Sequence, residues 1–185
     1  VRQRAPARIV EVGSGHSTRF MCRAIRDGGL HTAFTAIDPA PRANIEGAGA
    51  MLIRHTAQDA GTAPFAALAA GDILFIDSSH ILMPGTDVDL LFNRILPALP
   101  SGVMVHVHDV FLPGDYPSQW VLEGWGWNEV YLVRAFLAFN AGFQVLAGAQ
   151  YMLQRHHESV LKAFPDYAGQ AHRAGAALWI QRVPA

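Results

Sequence analysis

Apolar residues run along this chain in short blocks, and between the blocks they recur at helical spacing. The blocks at residues 7–12, 32–37, 51–55, 73–76 and 103–108 are mostly or wholly apolar. Short apolar runs without polar alternation are the mark of strands buried on both faces. Residues 17–26, 64–70 and 88–96 carry helical spacing, and Gly28-Gly29, Gly71 and Pro97 with Pro100 punctuate their ends. Strand and helix thus alternate, which predicts an α/β fold with a doubly wound, mostly parallel sheet.

The texture changes after Asp109. Residues 111–127 are rich in proline, glycine and aromatics and read as a long ordered loop. Residues 128–139 have helical spacing, with Val130, Val133 and Leu137 on one stripe and Asn128 placed to cap the start. Residues 143–147 and 177–180 read as strands, and the more polar helical stretch between them carries His156 and His157 as surface residues. The pattern therefore predicts a single Rossmann-like domain over residues 1–185. Its sheet has seven strands, the last two forming an antiparallel C-terminal edge.

Composition narrows the class. The chain has 185 residues, 51% hydrophobic and 16% charged, which is a globular balance with enough length for a sizeable core. A net charge of −1 leaves no electrostatic footprint for nucleic acid or an anionic membrane. Cys22 is the only cysteine, so an intrachain disulfide and a cysteine-based zinc cluster are excluded. No apolar stretch reaches the roughly 18 residues of a spanning helix, and the first residues lack the apolar core of a signal peptide. A cytoplasmic protein is the expectation. The first strand begins almost at residue 1, which fits either a minimal cofactor domain or one preceded by a substrate-covering segment.

The chemistry starts at Glu11-Val12-Gly13-Ser14-Gly15, where a strand enters a glycine turn and leaves as a helix. Glycine lets backbone approach a ligand closely, and a helix start offers free N–H groups. The dinucleotide fingerprint G-x-G-x-x-G is matched at Gly13 and Gly15, but Thr18 occupies the third glycine position, which weakens an NAD reading. The segment instead resembles the E-x-G-x-G motif of class I S-adenosylmethionine-dependent methyltransferases. That resemblance implies a cofactor site made of Glu11, Gly13, Ser14, Gly15, Asp38, Asp59 and Asp77. Asp38, closing the second strand, would accept from the ribose hydroxyls. Asp59, after the third, would accept from the adenine amine. Asp77, closing the fourth, would face the methionyl end. Ser17 stands where many family members have glycine, and serine there can cap the following helix.

Ligands of open α/β sheets bind beyond the carboxyl ends of the strands. Two polar clusters belong there, Asp77-Ser78-Ser79-His80 and His106-Val107-His108-Asp109. A methyl acceptor must lose its proton as it attacks, which calls for a general base or a metal. His80, His108 and Asp109 are the candidate catalytic residues. The segment from His108 also resembles metal-dependent, catechol-type O-methyltransferases, which implies a divalent ion on Asp77, His108 and Asp109. Histidine in that set suits Mn, Fe or Zn better than Mg. A metal-free site with His108 or His80 as base stands beside this reading, as does one in which the histidines only hold loops. His106 shares a strand face with His108 but lies deeper, as a core histidine. His16 follows the glycine turn, either against the cofactor carboxylate or simply exposed.

The run His108-Asp109-Val110-Phe111-Leu112-Pro113-Gly114-Asp115-Tyr116-Pro117 is similar to a bacterial methyltransferase subgroup with an H-D-x-F-x-P-x-D-Y-P segment. Tyr116 and Trp120, with Trp125 and Trp127, are candidates for an acceptor pocket, since aromatic faces suit planar acceptors. They serve equally well as a small core under the loop or as a homo-oligomer interface. The sequence thus predicts an S-adenosylmethionine-dependent enzyme that methylates a small-molecule acceptor at oxygen. A methyltransferase-like binding domain without turnover and an NAD-binding domain are the alternatives.

Overall fold

Seven strands, β1 (Arg8–Val12), β2 (Ala33–Ile37), β3 (Met51–Ile53), β4 (Ile73–Ile76), β5 (Met104–His108), β6 (Phe143–Gly148) and β7 (Ala177–Arg182), form one sheet in the computed structural model. The structure describes residues 1–165 and 175–184. The strand order is β3-β2-β1-β4-β5-β7-β6. β1 to β5 pair in parallel, and β7 pairs antiparallel with both β5 and β6. The expected antiparallel C-terminal pair is there, with β7 inserted between β5 and the outermost strand β6.

Alternation within the central strands supplies two cores. Val10, Val12, Leu74, Ile76, Val105 and Val107 pack on one face of the sheet. Ile9, Phe34, Ile73, Phe75 and Met104 pack on the other. Each such buried side chain contributes roughly 1.5–3 kcal/mol relative to exposure, and no strand could expose either face cheaply. The doubly wound reading of the sequence rests on this two-sided burial.

Helix α1 (His16–Asp27) places Met21 and Cys22 in the second core. Two short helices, α2 (Ala57–Ala60) and α3 (Ala63–Ala66), lead from β3 to β4. The expected helix at 88–96 is longer and broken: α4 (Asp87–Leu90), a π turn (Leu91–Ile95) and α5 (Leu96–Ala98) run consecutively. Pro97 has no N–H to donate to the preceding turn, and Leu96 N–H reaches back to Leu91, so the helix widens just before the proline. The stretch read as loop contains one further helix, α6 (Ser118–Leu122), whose first turn lacks a capping side chain. α7 (Glu129–Leu137) seats Val130 and Val133 in the first core. α8 (Ala149–Arg155) and α9 (His157–Ala163) follow β6, and His156 and His157 are exposed there. Among the described residues no helix is long and apolar enough to cross a membrane.

Candidate active site

The end of β1 is fixed by a carboxylate that never reaches the surface. Glu11 is fully buried and accepts the hydroxyls of Ser17 at 2.5 Å and Thr18 at 2.6 Å. Burial lifts its carboxyl to about 7, against the pull of the two hydroxyls. Gly15, not Ser17, caps α1, and the Ser17 hydroxyl is spent on Glu11 instead. Gly13 sits at φ +83°, and a Cβ there would collide with the Asp77 carbonyl oxygen. Only glycine lets the ends of β1 and β4 approach this closely.

Beyond these ends lies a cleft of about 560 Å³ whose walls include Gly13, Ser14, Asp38, Gln58 and Asp77. Ser14 donates its hydroxyl to Asp38 Oδ2 at 2.7 Å, tying the glycine turn to the end of β2. Asp38 Oδ1 accepts the Ala40 N–H at 2.8 Å. Three residues expected at a cofactor do not line the cleft: Glu11 braces the turn from behind, Gly15 starts α1, and Asp59 faces its own helix cap. Asp59 and Thr56 satisfy one another, the Thr56 hydroxyl donating to the carboxylate and accepting the Asp59 N–H. The wall at that point is Thr56, Ala57 and Gln58. His16 lies on a separate hollow over α1 with Arg19 and Arg23.

At the other end of the cleft, Asp77, His108 and Asp109 offer ligand atoms that all lie within 4.8 Å of one another. His80 stands among the same groups. Its Nε2 is 3.4 Å from Asp77 Oδ1 and 3.8 Å from Asp109 Oδ2, and its Nδ1 is 2.8 Å from Glu129 Oε2. Burial works against a charge on His80, but hydrogen bonds to Asp77 and Glu129 outweigh it and raise the imidazole to about 9. Burial also opposes ionisation of Asp77, and the His80 hydrogen bond with the nearby His108 and Arg42 holds its carboxyl below the ordinary range. Asp109 and Glu129 are pushed upward by burial. His80 is therefore an imidazolium at neutral pH, held among three carboxyl groups, and cannot serve as the general base that the sequence suggested.

Two backbone positions at this end are left-handed, His80 at φ 60° and Asp109 at φ 52°. The first is held by Asn128 and Glu129, whose N–H groups both donate to the His80 carbonyl. The second is held by the Asp109 N–H on Ala176. Such strain persists where surrounding bonds over-determine it, and it gathers at functional sites. Asn128 begins α7, but its side chain bridges the backbone of Leu82 instead of capping the helix.

Glu129 is the functional group that sequence reasoning passed over. It is fully buried and also accepts the Ser78 hydroxyl at 2.9 Å. In the sequence it belongs to the run Trp127-Asn128-Glu129-Val130-Tyr131-Leu132, which is similar to a W-N-E-x-Y-L run of the same bacterial subgroup but assigns the carboxylate no role. His106 lies as expected in the core, stacked on Phe75 at 4.0 Å, and burial depresses its imidazole to about 3. Its Nε2 lies 3.3 Å from His108 Nδ1. The His108 side chain is 41% exposed, with Nε2 at 3.7 Å from Asp109 Oδ1. Tyr116 is buried, and its hydroxyl is taken by the Val130 N–H, while Trp120 packs with Trp125 and Trp127.

The family model described as a methyltransferase domain matches residues 10–110, more than half of the chain. Among solved structures, a methyltransferase from Thermobifida fusca YX, described as putative, superposes with a TM-score of 0.61 at 14% identity, over 98% of this chain and 75% of that one. The plantazolicin methyltransferase BpumL in complex with SAH gives 0.55 at 13% identity, over 97% and 77%. CmcI-D160 with Mg-SAM gives 0.53 at 15% identity, over 99% and 67%. No curated protein matches the sequence.

Proposed function

The chain belongs to the methyltransferase-domain family, and from that premise we propose that it moves the methyl group of S-adenosylmethionine to an oxygen of a small-molecule acceptor. One observation carries the reading. Asp77 belongs both to the wall of the 560 Å³ cleft and to the cluster with His108 and Asp109, so a bound cofactor and the proton-accepting groups share one residue. The cofactor supplies an electrophilic methyl on a sulfonium. The residues present fit it. The Gly13–Ser14 turn offers close backbone, and Asp38 keeps lone pairs free for vicinal hydroxyls beyond its bonds to Ser14 and Ala40. Thr56, Ala57 and Gln58, which line the cleft, would hold the base, and Asp77 would take the amino-acid end.

The proton of the acceptor hydroxyl goes to His108. This is the one imidazole at the site that is both partly exposed and beside a carboxylate, Asp109 at 3.7 Å. Asp109 stabilises the imidazolium that forms. His80 acts differently: its fixed positive charge orients Asp77 and Asp109, and Glu129 orients His80 in turn. Such positioned proton transfer contributes roughly 10²–10⁴-fold.

The mutual approach of Asp77, His108 and Asp109 favours a second reading of the same centre. These three would hold a divalent cation, and two carboxylates with one imidazole suit Mn, Fe or Zn better than Mg. When bound, the cation lowers the pKa of a hydroxyl at the site, and His108 is then a ligand and not a base. Elemental analysis separates the two: a stoichiometric ion lost in Asp77→Ala and Asp109→Ala supports the metal, and full activity in chelator supports the base.

Incubation with methyl-labelled S-adenosylmethionine and a panel of hydroxylated small molecules tests the function itself. Label is expected on an acceptor oxygen with the wild type and not with His108→Ala. Tight S-adenosylhomocysteine binding with no label transferred to any acceptor would overturn turnover and leave a cofactor-binding domain.

A further inference from the structure

A second cavity, of about 250 Å³, opens beside the His80 centre and shares no residue with the cofactor cleft. Five aromatic rings line it: Tyr116, Trp120, Trp125, Trp127 and Tyr131. Val121, Gly124 and Gly126 complete it, so no charged side chain lines the wall. Trp127 belongs to both regions. Its ring lies 4.0 Å from the His80 imidazole on one side and 4.9 Å from Trp125 on the other.

The shape of the cavity is fixed by hydrogen bonds at the edges of two of its rings. The Tyr116 hydroxyl accepts the Val130 N–H, and Trp125 Nε1 donates to Glu123. Gly124 at φ 75° and Gly126 at φ 69° bracket Trp125 and fold it flat onto Trp120, with centroids 4.5 Å apart and planes 10° from parallel. Arg134 ties down the approach loop through Pro113, Gly114 and Asp115. Trp125 nevertheless stays 41% exposed and Val121 65% exposed. Large apolar side chains left in water around a preformed hollow mark a binding surface.

We infer that this cavity is the subsite for the non-reacting part of the acceptor, and that this part is a neutral planar ring. The inference rests on the methyl-transfer reading for the word acceptor, but the cavity's own preference does not. An apolar cavity of about 150 Å³ already takes a benzene, so this one has room for one ring or two fused rings. Aromatic walls with no charge reward flat apolar surface, and they penalise a charged ligand that would shed its water without a charged partner. The shared wall at Trp127 sets the ring one side chain away from the centre where a hydroxyl loses its proton.

The test is calorimetric titration with 2-naphthol and with its saturated analogue decahydro-2-naphthol, run on the protein with and without S-adenosylhomocysteine. Wild type is expected to prefer the planar compound by on the order of tenfold, and Trp125→Ala to lose that preference. Trp120→Phe, which keeps a ring, is expected to retain most of it. Equal affinity for the two compounds, or an unchanged preference in folded Trp125→Ala, overturns the inference. So does a silent titration with the cavity buried between two copies of the chain, seen as a dimer by light scattering. A planar preference without any S-adenosylhomocysteine binding would sustain the cavity's chemistry and overturn the methyl-transfer reading instead.

Discussion

At one end of the cleft, Ser14 and Asp38 are partly exposed neighbours that share a single hydrogen bond of 2.7 Å. At the other end, His80 and Glu129 are buried, ionisable and 2.8 Å apart, and two left-handed residues face each other across the centre. The first end is made of strand-end turns, and its one buried carboxylate, Glu11, lies behind the cleft wall and is paired with two hydroxyls. The second stores burial cost and backbone strain and draws its parts from the ends of β4 and β5 and the start of α7. The contrast fits a division of labour. Binding a constant cofactor needs shape and a few acceptors, whereas moving a proton needs groups whose charges are set against their surroundings.

Substitutions should separate the two ends. The largest effect is expected at His108→Ala, which should lower kcat by roughly 10²–10⁴-fold while S-adenosylhomocysteine affinity stays within about threefold, since His108 is absent from the cleft wall. Equal losses in kcat and in cofactor binding would erase the division. Glu129→Ala should cost about 3–5 kcal/mol in denaturant unfolding, because it leaves His80 as a buried charge short of a partner. Glu129→Gln should cost less, and the His80 titration followed by NMR should fall from about 9 toward 6.5. Asp38→Ala should weaken cofactor binding by roughly tenfold or more, with little change in unfolding, since a hydrogen bond to a charged group contributes about 1.5–3 kcal/mol.

Effects on pH dependence differ in sign by site. His80 is raised from 6.5 to about 9, so its contribution to stability is complete below pH 6.5 and is lost as pH rises through 9. Glu11 is raised from 4.5 to about 7, so its contribution is complete below 4.5 and is lost as pH rises through 7. Glu11→Gln should remove the second slope and leave the first. His106, depressed from 6.5 to about 3, acts the other way, losing stability as pH falls below 6.5. Urea unfolding of both proteins across pH 4.5–9 checks all three signs.

The first end was largely legible from residue order. Gly13 and Ser14 follow a strand directly, and Asp38 and Asp77 close the next strands that matter, so position along the chain gave position in space. Glu11 and Asp59 stand off the cleft wall for one reason: local hydroxyls claim each carboxylate. The strained end was half legible. Asp77, His108 and Asp109 came together as expected. The role of Glu129 did not show itself, because it meets His80 across 49 positions of sequence and its pairing depends on burial that no periodicity reveals. The same holds for His80: its residue type suggested a base, and three carboxyl groups from three segments made it a cation.

The central claim is that the cleft at Gly13, Asp38 and Asp77 is an S-adenosylmethionine site, and calorimetric titration with S-adenosylhomocysteine tests it most directly. The prediction is one molecule bound per chain, weakened roughly tenfold or more in Asp38→Ala, with no heat from NAD(H). Binding of NAD(H) in place of S-adenosylhomocysteine, or S-adenosylhomocysteine binding indifferent to Asp38, would contradict it.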